Sequence, residues 1–535
     1  MDKINAMPED QTKFRRDLNK RRSIERFLTA RDWREVLAAL EADGDLIDSS
    51  DSDGERSDQD IASGDISQTW SEFLDAQEEA SPGKRGADEC SHQSSPMGSV
   101  SSPSLNASAE RALWVVSGQA QSPDRMPKEP IKRDAQDLTP LERVLFFRGF
   151  QRDDRIEASL VEGTEQASFS VVQIARQVLR DLKKGDSLTN VSLPAWLLEP
   201  MSSTEKVALA MRHGELLAAW ATEPNPFERF LKGIQYFLSG LPRVCSLRKP
   251  LNPVLGETFW CAFPHRDELH GITTLFCEQV SHHPPRTAMH MRNNRLGVRV
   301  EALMEPRPSF GGNSLKIEMA GHSLVELLHI DHGERYILTR PAMVITGILG
   351  IGKQQVECVG KCIFHCPKLG LLAKFDFKGV SLVGLRGSTH AVDGKIYIQD
   401  QKRYVLFGRW DECVYLKDLV TEEIRLLYDA NQVHASYQLH IWMPPEDQQP
   451  EKFARRVWRE TTDALSCGDF DKANQEKRKV EERERELRAL REESGTSWEP
   501  TYFELDPQSG IYVFNERYRN LLDIDANDPV PVPGP

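Results

Sequence analysis

From about residue 257 to about 415 the chain alternates apolar and polar positions in short runs separated by Gly, Asn and Asp, at 315–319, 335–338, 355–364, 374–377, 394–399 and 404–410. A period of two sends successive side chains to opposite faces, so each run predicts a half-buried strand. Many short strands at this spacing predict a barrel. Ahead of them Val171, Ile174, Ala175, Val178, Leu179 and Leu182 recur at helical spacing until Gly185, which predicts an amphipathic helix. A second helical stretch covers 205–217. A third starts at Pro226, suited to a first turn, and carries Phe230, Leu231, Ile234, Phe237 and Leu238. After Glu451 the pattern predicts one long charged helix, with Phe453, Val457, Ala464 and Leu465 followed by a polar stretch over 469–493.

The first third reads differently. Arg15, Arg16, Lys20, Arg21 and Arg22 precede a short helical pattern over 33–40, and from Asp43 to about Asp134 the chain is rich in Ser, Asp, Gly and Pro. Such a stretch has too little apolar surface to offset its ordering entropy. Residues 1–167 are therefore expected to be a largely disordered acidic, Ser-rich region, and 168–535 to form a single domain. A net charge of -14 over 535 residues disfavours a nucleic-acid partner. The longest apolar stretch, around 336–351, is interrupted by Arg340, Pro341 and glycines, so no spanning helix is expected. The N-terminus lacks a signal peptide's apolar core. Nine cysteines without paired spacing predict a reduced, cytoplasmic protein without disulfides.

Two segments carry the chemistry, Lys249-Pro250-Leu251-Asn252-Pro253-Val254-Leu255-Gly256-Glu257 and Glu278-Gln279-Val280-Ser281-His282-His283-Pro284-Pro285. A phosphorylated head group needs several cationic donors converging on a small volume, and Lys, Arg and protonated His supply charge-assisted bonds. In a regular strand adjacent histidines point to opposite faces; two following prolines bar helix and ladder alike and can turn both rings toward one ligand. A metal site needs further ligands, and Cys277 is the one nearby, so no metal is expected. Lys477, Glu481 and Arg485, spaced by four, share one helix face, as they would on an ordinary solvated helix with ion pairs.

Both segments resemble the signatures of the oxysterol-binding-protein-related family, with weaker echoes at Gly312-Asn313-Ser314, Gly394-Lys395-Ile396 and Gly408-Arg409-Trp410. The resemblance implies an α+β fold, an incomplete antiparallel β-barrel enclosing one lipid. It divides the domain into a helical lid region (168–245), a barrel (about 250–420) and a C-terminal helical part (445–535). It assigns Lys249, Asn252, His282, His283, Lys477, Glu481 and Arg485 to the head group of phosphatidylinositol 4-phosphate, and Leu188, Leu193 and Trp196 to the lid and cavity. The stretch 193–200 resembles the branch associated with phosphatidylserine more than the sterol-carrying one. Exchange of the phosphoinositide for phosphatidylserine or sterol between membranes follows as the expected function. About 30 buried methylenes at roughly 0.8 kcal/mol each make escape into water slow, so uptake belongs at a membrane surface.

Glu72-Phe73-Leu74-Asp75-Ala76-Gln77-Glu78 resembles the two-phenylalanines-in-an-acidic-tract motif that binds VAP-type receptors of the endoplasmic reticulum, with Leu74 where a second aromatic is usual. It implies a peripheral protein at endoplasmic reticulum contact sites. An enzyme is not expected. Ser281 with His282 or His283 lacks triad geometry in sequence, no Gly-x-Ser-x-Gly elbow occurs, and the glycine-rich run 347–353 lacks phosphate-loop spacing. Cys358, Cys362, His365 and Cys366 have a zinc-like spacing, but they lie in alternating strand sequence that sends several to opposite faces.

Overall fold

The computed structural model describes residues 138–153, 195 and 198–524, apart from 311–313, 331–332, 348–353, 380–388, 437 and 508. The helical patterns at 33–40 and 170–185, the acidic motif at 72–78, and Leu188, Leu193 and Trp196 lie outside the described residues.

Among the described residues the strands begin with β1 (Gln151–Arg152), β2 (Leu198–Ser202), β3 (Lys249–Leu251), β4 (Thr258–Pro264), β5 (Ile272–His282), β6 (Pro285–Asn293) and β7 (Val298–Phe310). Next come β8 (Ser314–Ala320), β9 (Ser323–Leu327), β10 (Glu334–Leu338), β11 (Ala342–Thr346), β12 (Gln355–Cys366) and β13 (Leu371–Lys378). The series closes with β14 (Ala391–Ile398), β15 (Gln401–Arg409), β16 (Cys413–Asp418), β17 (Ile424–Asp429), β18 (Trp442–Met443), β19 (Phe503–Leu505) and β20 (Tyr512–Phe514). The helices are α1 (Pro140–Phe147), α2 (Ser203–Ala210), α3 (Gly214–Thr222), α4 (Pro226–Val244), α5 (Ala430–Ala435), α6 (Ala454–Val457), α7 (Arg459–Ser466) and α8 (Phe470–Ser494).

One large antiparallel sheet runs β1-β18-β4-β5-β6-β7-β8-β11-β12-β13-β14-β15-β16-β17, with β9 and β10 bridging β7 and β12. The expected alternation is plain in β13, where Leu371, Ala373, Phe375 and Phe377 are buried and Lys374, Asp376 and Lys378 point away. The sheet wraps around α4. Phe230 meets Phe364 of β12 at 5.2 Å and Phe237 meets Phe375 of β13 at 5.9 Å. Phe227 stacks on Tyr404 of β15, and the Tyr236 hydroxyl reaches Met291 of β6. A single helix can touch β6, β12, β13 and β15 only if the sheet curls, and the end strands β1 and β17 are not bonded to each other, so the barrel is incomplete. At the free edge Gln235 Nε2 donates to the Leu427 carbonyl at 2.7 Å, which satisfies an acceptor that a closed barrel would pair.

Helix α4 starts as the sequence predicts. The Asn225 side chain accepts from the N–H groups of Phe227 and Glu228, with Pro226 in the first turn. Gly233 lets it sit deep, because a Cβ there would lie 2.5 Å from the Phe364 ring and 2.7 Å from Trp220.

Several boundaries differ from expectation. Order begins well before 168: Thr139 and Glu142 form a reciprocal cap, α1 buries Leu141, Val144 and Leu145, and Phe150 packs edge-on against Trp260. Two turns of helix in a charged surrounding are too short to register as a periodic stretch. The expected helix at 205–217 is two helices, interrupted where Arg212 Nε donates to the Leu439 carbonyl at 2.8 Å. Barrel strands continue past 420 to Asp429 and return at β18. The long charged helix is three helices: Trp458 leaves helical geometry (φ -103°, ψ 9°) between α6 and α7, and before α8 Gly468 turns the chain at φ +72° and Asp469 accepts from Lys472 N–H. The C-terminal part is not wholly helical either. The β19–β20 hairpin packs Phe503 and Phe514 onto Phe276 of β5.

Candidate functional site

The second motif forms the β5–β6 hairpin: β5 ends at His282, β6 starts at Pro285, and His282 pairs with Pro285 across the turn. The turn does bring both imidazoles to one place. Their ring centres lie 4.7 Å apart, edge to face. His282 Nδ1 lies 3.0 Å from the Pro253 carbonyl, which can only accept, so Nδ1 carries a proton and Nε2 is left to a ligand. His283 Nε2 lies 3.2 Å from Arg488 Nη1 on α8 and accepts from it, since a guanidinium only donates.

The first motif is bonded directly to the second. Gly256 N–H donates to the Gln279 carbonyl at 2.9 Å, and Gln279 N–H donates to the Glu257 carbonyl at 2.8 Å. Gly256 has φ +75°, and a Cβ on it would lie 2.4 Å from the Trp498 ring. The loop is held from inside by Glu257, which is fully buried. Its carboxylate accepts from the Ser202 hydroxyl, the Thr204 hydroxyl (2.8 Å), Val254 N–H (3.1 Å) and Trp458 Nε1 (2.7 Å). Glu278 does the same for the C-terminal segment, accepting from the N–H groups of Thr501 and Tyr502. Burial pushes both carboxyls above the usual range while these hydrogen bonds pull them back.

Helix α8 forms the third side. Ala473 and Val480 pack on a cluster with Leu198, Leu251, Val254 and Trp458, so its inner face lies against the strand that carries Lys249. Lys477 is buried and bonded to Glu481. Lys249 is exposed on β3, with protein crowding part of its surroundings. That surrounding lowers its amine from the usual lysine value, and Lys477 lowers it further while Glu481 opposes. Asn252 is exposed beside Lys249. Arg485 is exposed on α8 between Glu481 and Arg488. Lys452 braces the loop from behind, donating to the Leu255 carbonyl (2.7 Å) and to Glu484 of α8 (3.3 Å).

Lys249, His282, His283, Lys477 and Glu481 thus converge from β3, the β5–β6 turn and α8. Arg488 joins them, and the sequence reading missed it because it stopped at Arg485. The signal was there, since Arg488 lies seven residues after Glu481 and so falls on the same face.

A family model described as "Oxysterol-binding protein" matches residues 177–521. The chain belongs to the oxysterol-binding protein family. Oxysterol-binding protein-related protein 5 of Mus musculus is 32% identical over 370 residues, 69% of this chain and 41% of that protein. An oxysterol-binding protein homologue of Schizosaccharomyces pombe is 32% identical over 340 residues, 61% of this chain and 69% of that protein. The chain therefore spans about two fifths of its mammalian relative. The Osh1 ORD domain, solved in complex with cholesterol, has the same fold with a TM-score of 0.53 at 23% identity, covering 68% of this chain and 92% of that one. Leu198 of β2 pairs in parallel with Lys249 of β3, so the start of β2 lies against the strand that carries that lysine.

Among the described residues no helix is long and apolar enough to cross a membrane, and no group of three or more His, Cys, Asp or Glu could hold a metal ion. Cys358, Cys362 and Cys366 in fact share the buried face of β12, with His365 on the other. At about 3.3 Å per residue each is some 13 Å from the next, too far for shared ligation.

Burial is the main cause that lowers the His282 imidazole from its usual value; His283 and Arg488 lower it too, and the Pro253 carbonyl and Glu481 oppose them. An anionic phosphate beside it favours the imidazolium and raises that value, so binding takes up a proton. Affinity for a phosphomonoester head then rises as pH falls through neutrality, and levels off near the phosphate's own second ionisation at about 6. Calorimetry in buffers of different ionisation enthalpy checks this; binding without proton uptake in that range contradicts it.

Proposed function

We propose that this chain extracts single lipids from membranes and exchanges phosphatidylinositol 4-phosphate for another lipid, phosphatidylserine or a sterol. The head group is held by Lys249, Asn252, His282, His283, Lys477, Glu481, Arg485 and Arg488. The observation that carries the reading is the direct bonding of the two motifs beneath α8, which gathers three separated cationic stretches at one solvent-reached site. Family membership supports a lipid ligand, and the curled sheet supports its enclosure. The protein equilibrates the two lipids, and consumption of the phosphoinositide in one membrane would give the exchange its direction. Binding and release suffice for this, so no catalytic residue is assigned.

Transfer of labelled phosphatidylinositol 4-phosphate between donor and acceptor liposomes tests the proposal. Accelerated movement is the expected result, whereas stoichiometric binding without acceleration would make the protein a sensor. Mass spectrometry of copurifying lipid then names the second ligand.

The reading places the protein at endoplasmic reticulum contact sites through Glu72, Phe73, Leu74, Asp75, Ala76 and Glu78. A peptide covering residues 68–82 is expected to bind the cytosolic domain of a VAP-type receptor, and Phe73→Ala to weaken that binding at least tenfold by calorimetry. Equal binding of both peptides would remove the motif from the account.

A further inference from the structure

At the C-terminal end of α4, outside the head-group site, two thiols are in contact. Cys245 caps the helix, its N–H bonded to the Leu241 carbonyl at 3.1 Å, and its Sγ lies 3.3 Å from Sγ of Cys358 on β12. Cys245 is half-buried and reachable by a small oxidant, while Cys358 is buried behind it. Both thiols are free. A disulfide bond is about 2.05 Å long, so closing the gap takes roughly 1.2 Å of side-chain movement.

We propose that Cys245 and Cys358 form a reversible disulfide, a redox modification site that uses hydrogen peroxide as oxidant and staples the end of α4 to β12. The two thiols share one hydrogen bond in which either can donate; where Cys358 donates, it lowers the Cys245 thiol from its usual value, and Lys206 and His390 act in the same direction while burial opposes them. Cys245, the less buried of the two, is the sulfur that meets the oxidant first. Its thiolate attacks one peroxide oxygen, the O–O bond breaks, and the leaving hydroxide takes up the thiol's proton as water. The Cys245 sulfenic acid is then attacked by Cys358. The S–S bond forms as the S–O bond breaks, and the departing hydroxide takes the Cys358 proton as a second water. Two thiols lose two electrons in all, and one peroxide becomes two waters.

The sequence gives no hint of the pair, because 113 residues separate its members. Their meeting depends on α4 lying inside the barrel. The staple would fix the first residue of the short segment 245–249 that leads to Lys249.

The test uses the full chain with Cys467, which is exposed, replaced by Ser to suppress intermolecular linkage. The protein is treated with one to five equivalents of hydrogen peroxide, alkylated, digested and analysed by mass spectrometry. A linked peptide pair joining Cys245 to Cys358, reversed by dithiothreitol and lost in both Cys245→Ser and Cys358→Ser, is the expected result. The oxidised protein should also unfold about 5 °C higher than the reduced one, since the link closes a long loop. Stable sulfenic or sulfinic acid on Cys245 with Cys358 still a free thiol, or linkage of either to another cysteine, would overturn the proposal.

Discussion

Replacing His282 and His283 together by alanine is expected to weaken phosphatidylinositol 4-phosphate extraction by roughly 100-fold or more while leaving binding of the second lipid within about threefold. The two imidazoles sit at one point, and a ring N–H that reaches an anionic phosphate oxygen makes a hydrogen bond to a charged group worth about 1.5–3 kcal/mol. Losing both removes roughly 3–6 kcal/mol from a head group that depends on them. On the proposed reading the acyl or sterol body would be held inside the curled sheet, whereas both histidines sit at the β5–β6 turn. The structural cost is small, since the hairpin register is set by backbone bonds on either side of the turn, and the one protein bond lost by His282 is that to the Pro253 carbonyl. Fluorescence extraction assays with each lipid measure the split. Equal loss of both ligands would mean that the histidines hold the fold and not the phosphate.

Glu257→Ala should lower the unfolding free energy by about 3 kcal/mol, the largest stability effect expected of any single position in the two motifs. The carboxylate is fully buried and accepts four hydrogen bonds, from Ser202, Thr204, Val254 and Trp458. Each donor left without a partner costs on the order of 1–3 kcal/mol, and relief of the buried charge offsets part of the sum. Glu257→Gln can keep its carbonyl on the Val254 and Trp458 donors and turn its amide NH2 to the Ser202 and Thr204 hydroxyls, which can also accept, so an intermediate loss is expected. Urea unfolding compares the three proteins. A change below about 0.5 kcal/mol for Glu257→Ala would show that the loop is held by packing alone.

The barrel was largely legible because its strands have one wet face. In β13 and β14 the alternation of buried and exposed residues is the same in sequence and structure. Register was not legible, since Gly256 and Gln279 are brought together by a backbone contact that no side chain announces. The charged stretch around 453–493 hid its breaks for a similar reason. Gly468 and Asp469 form a stop and a start in adjacent positions, which a search for periodicity reads through. The site residues Lys249, His282, His283, Lys477 and Glu481 were accessible through their motifs, whereas Arg488 required knowing which face of α8 meets the hairpin. Glu257 belongs to a motif yet serves the fold, and only its four buried donors reveal that.

In the proposed function the histidine hairpin and α8 act on one and the same phosphate. A double-mutant cycle of phosphatidylinositol 4-phosphate affinity, combining His282→Ala with His283→Ala on one arm and Lys477→Met on the other, measures this directly. A coupling energy of about 1 kcal/mol or more is predicted, because groups sharing one ligand oxygen cluster do not contribute independently. Additivity within about 0.3 kcal/mol would place them on separate ligands and contradict the account.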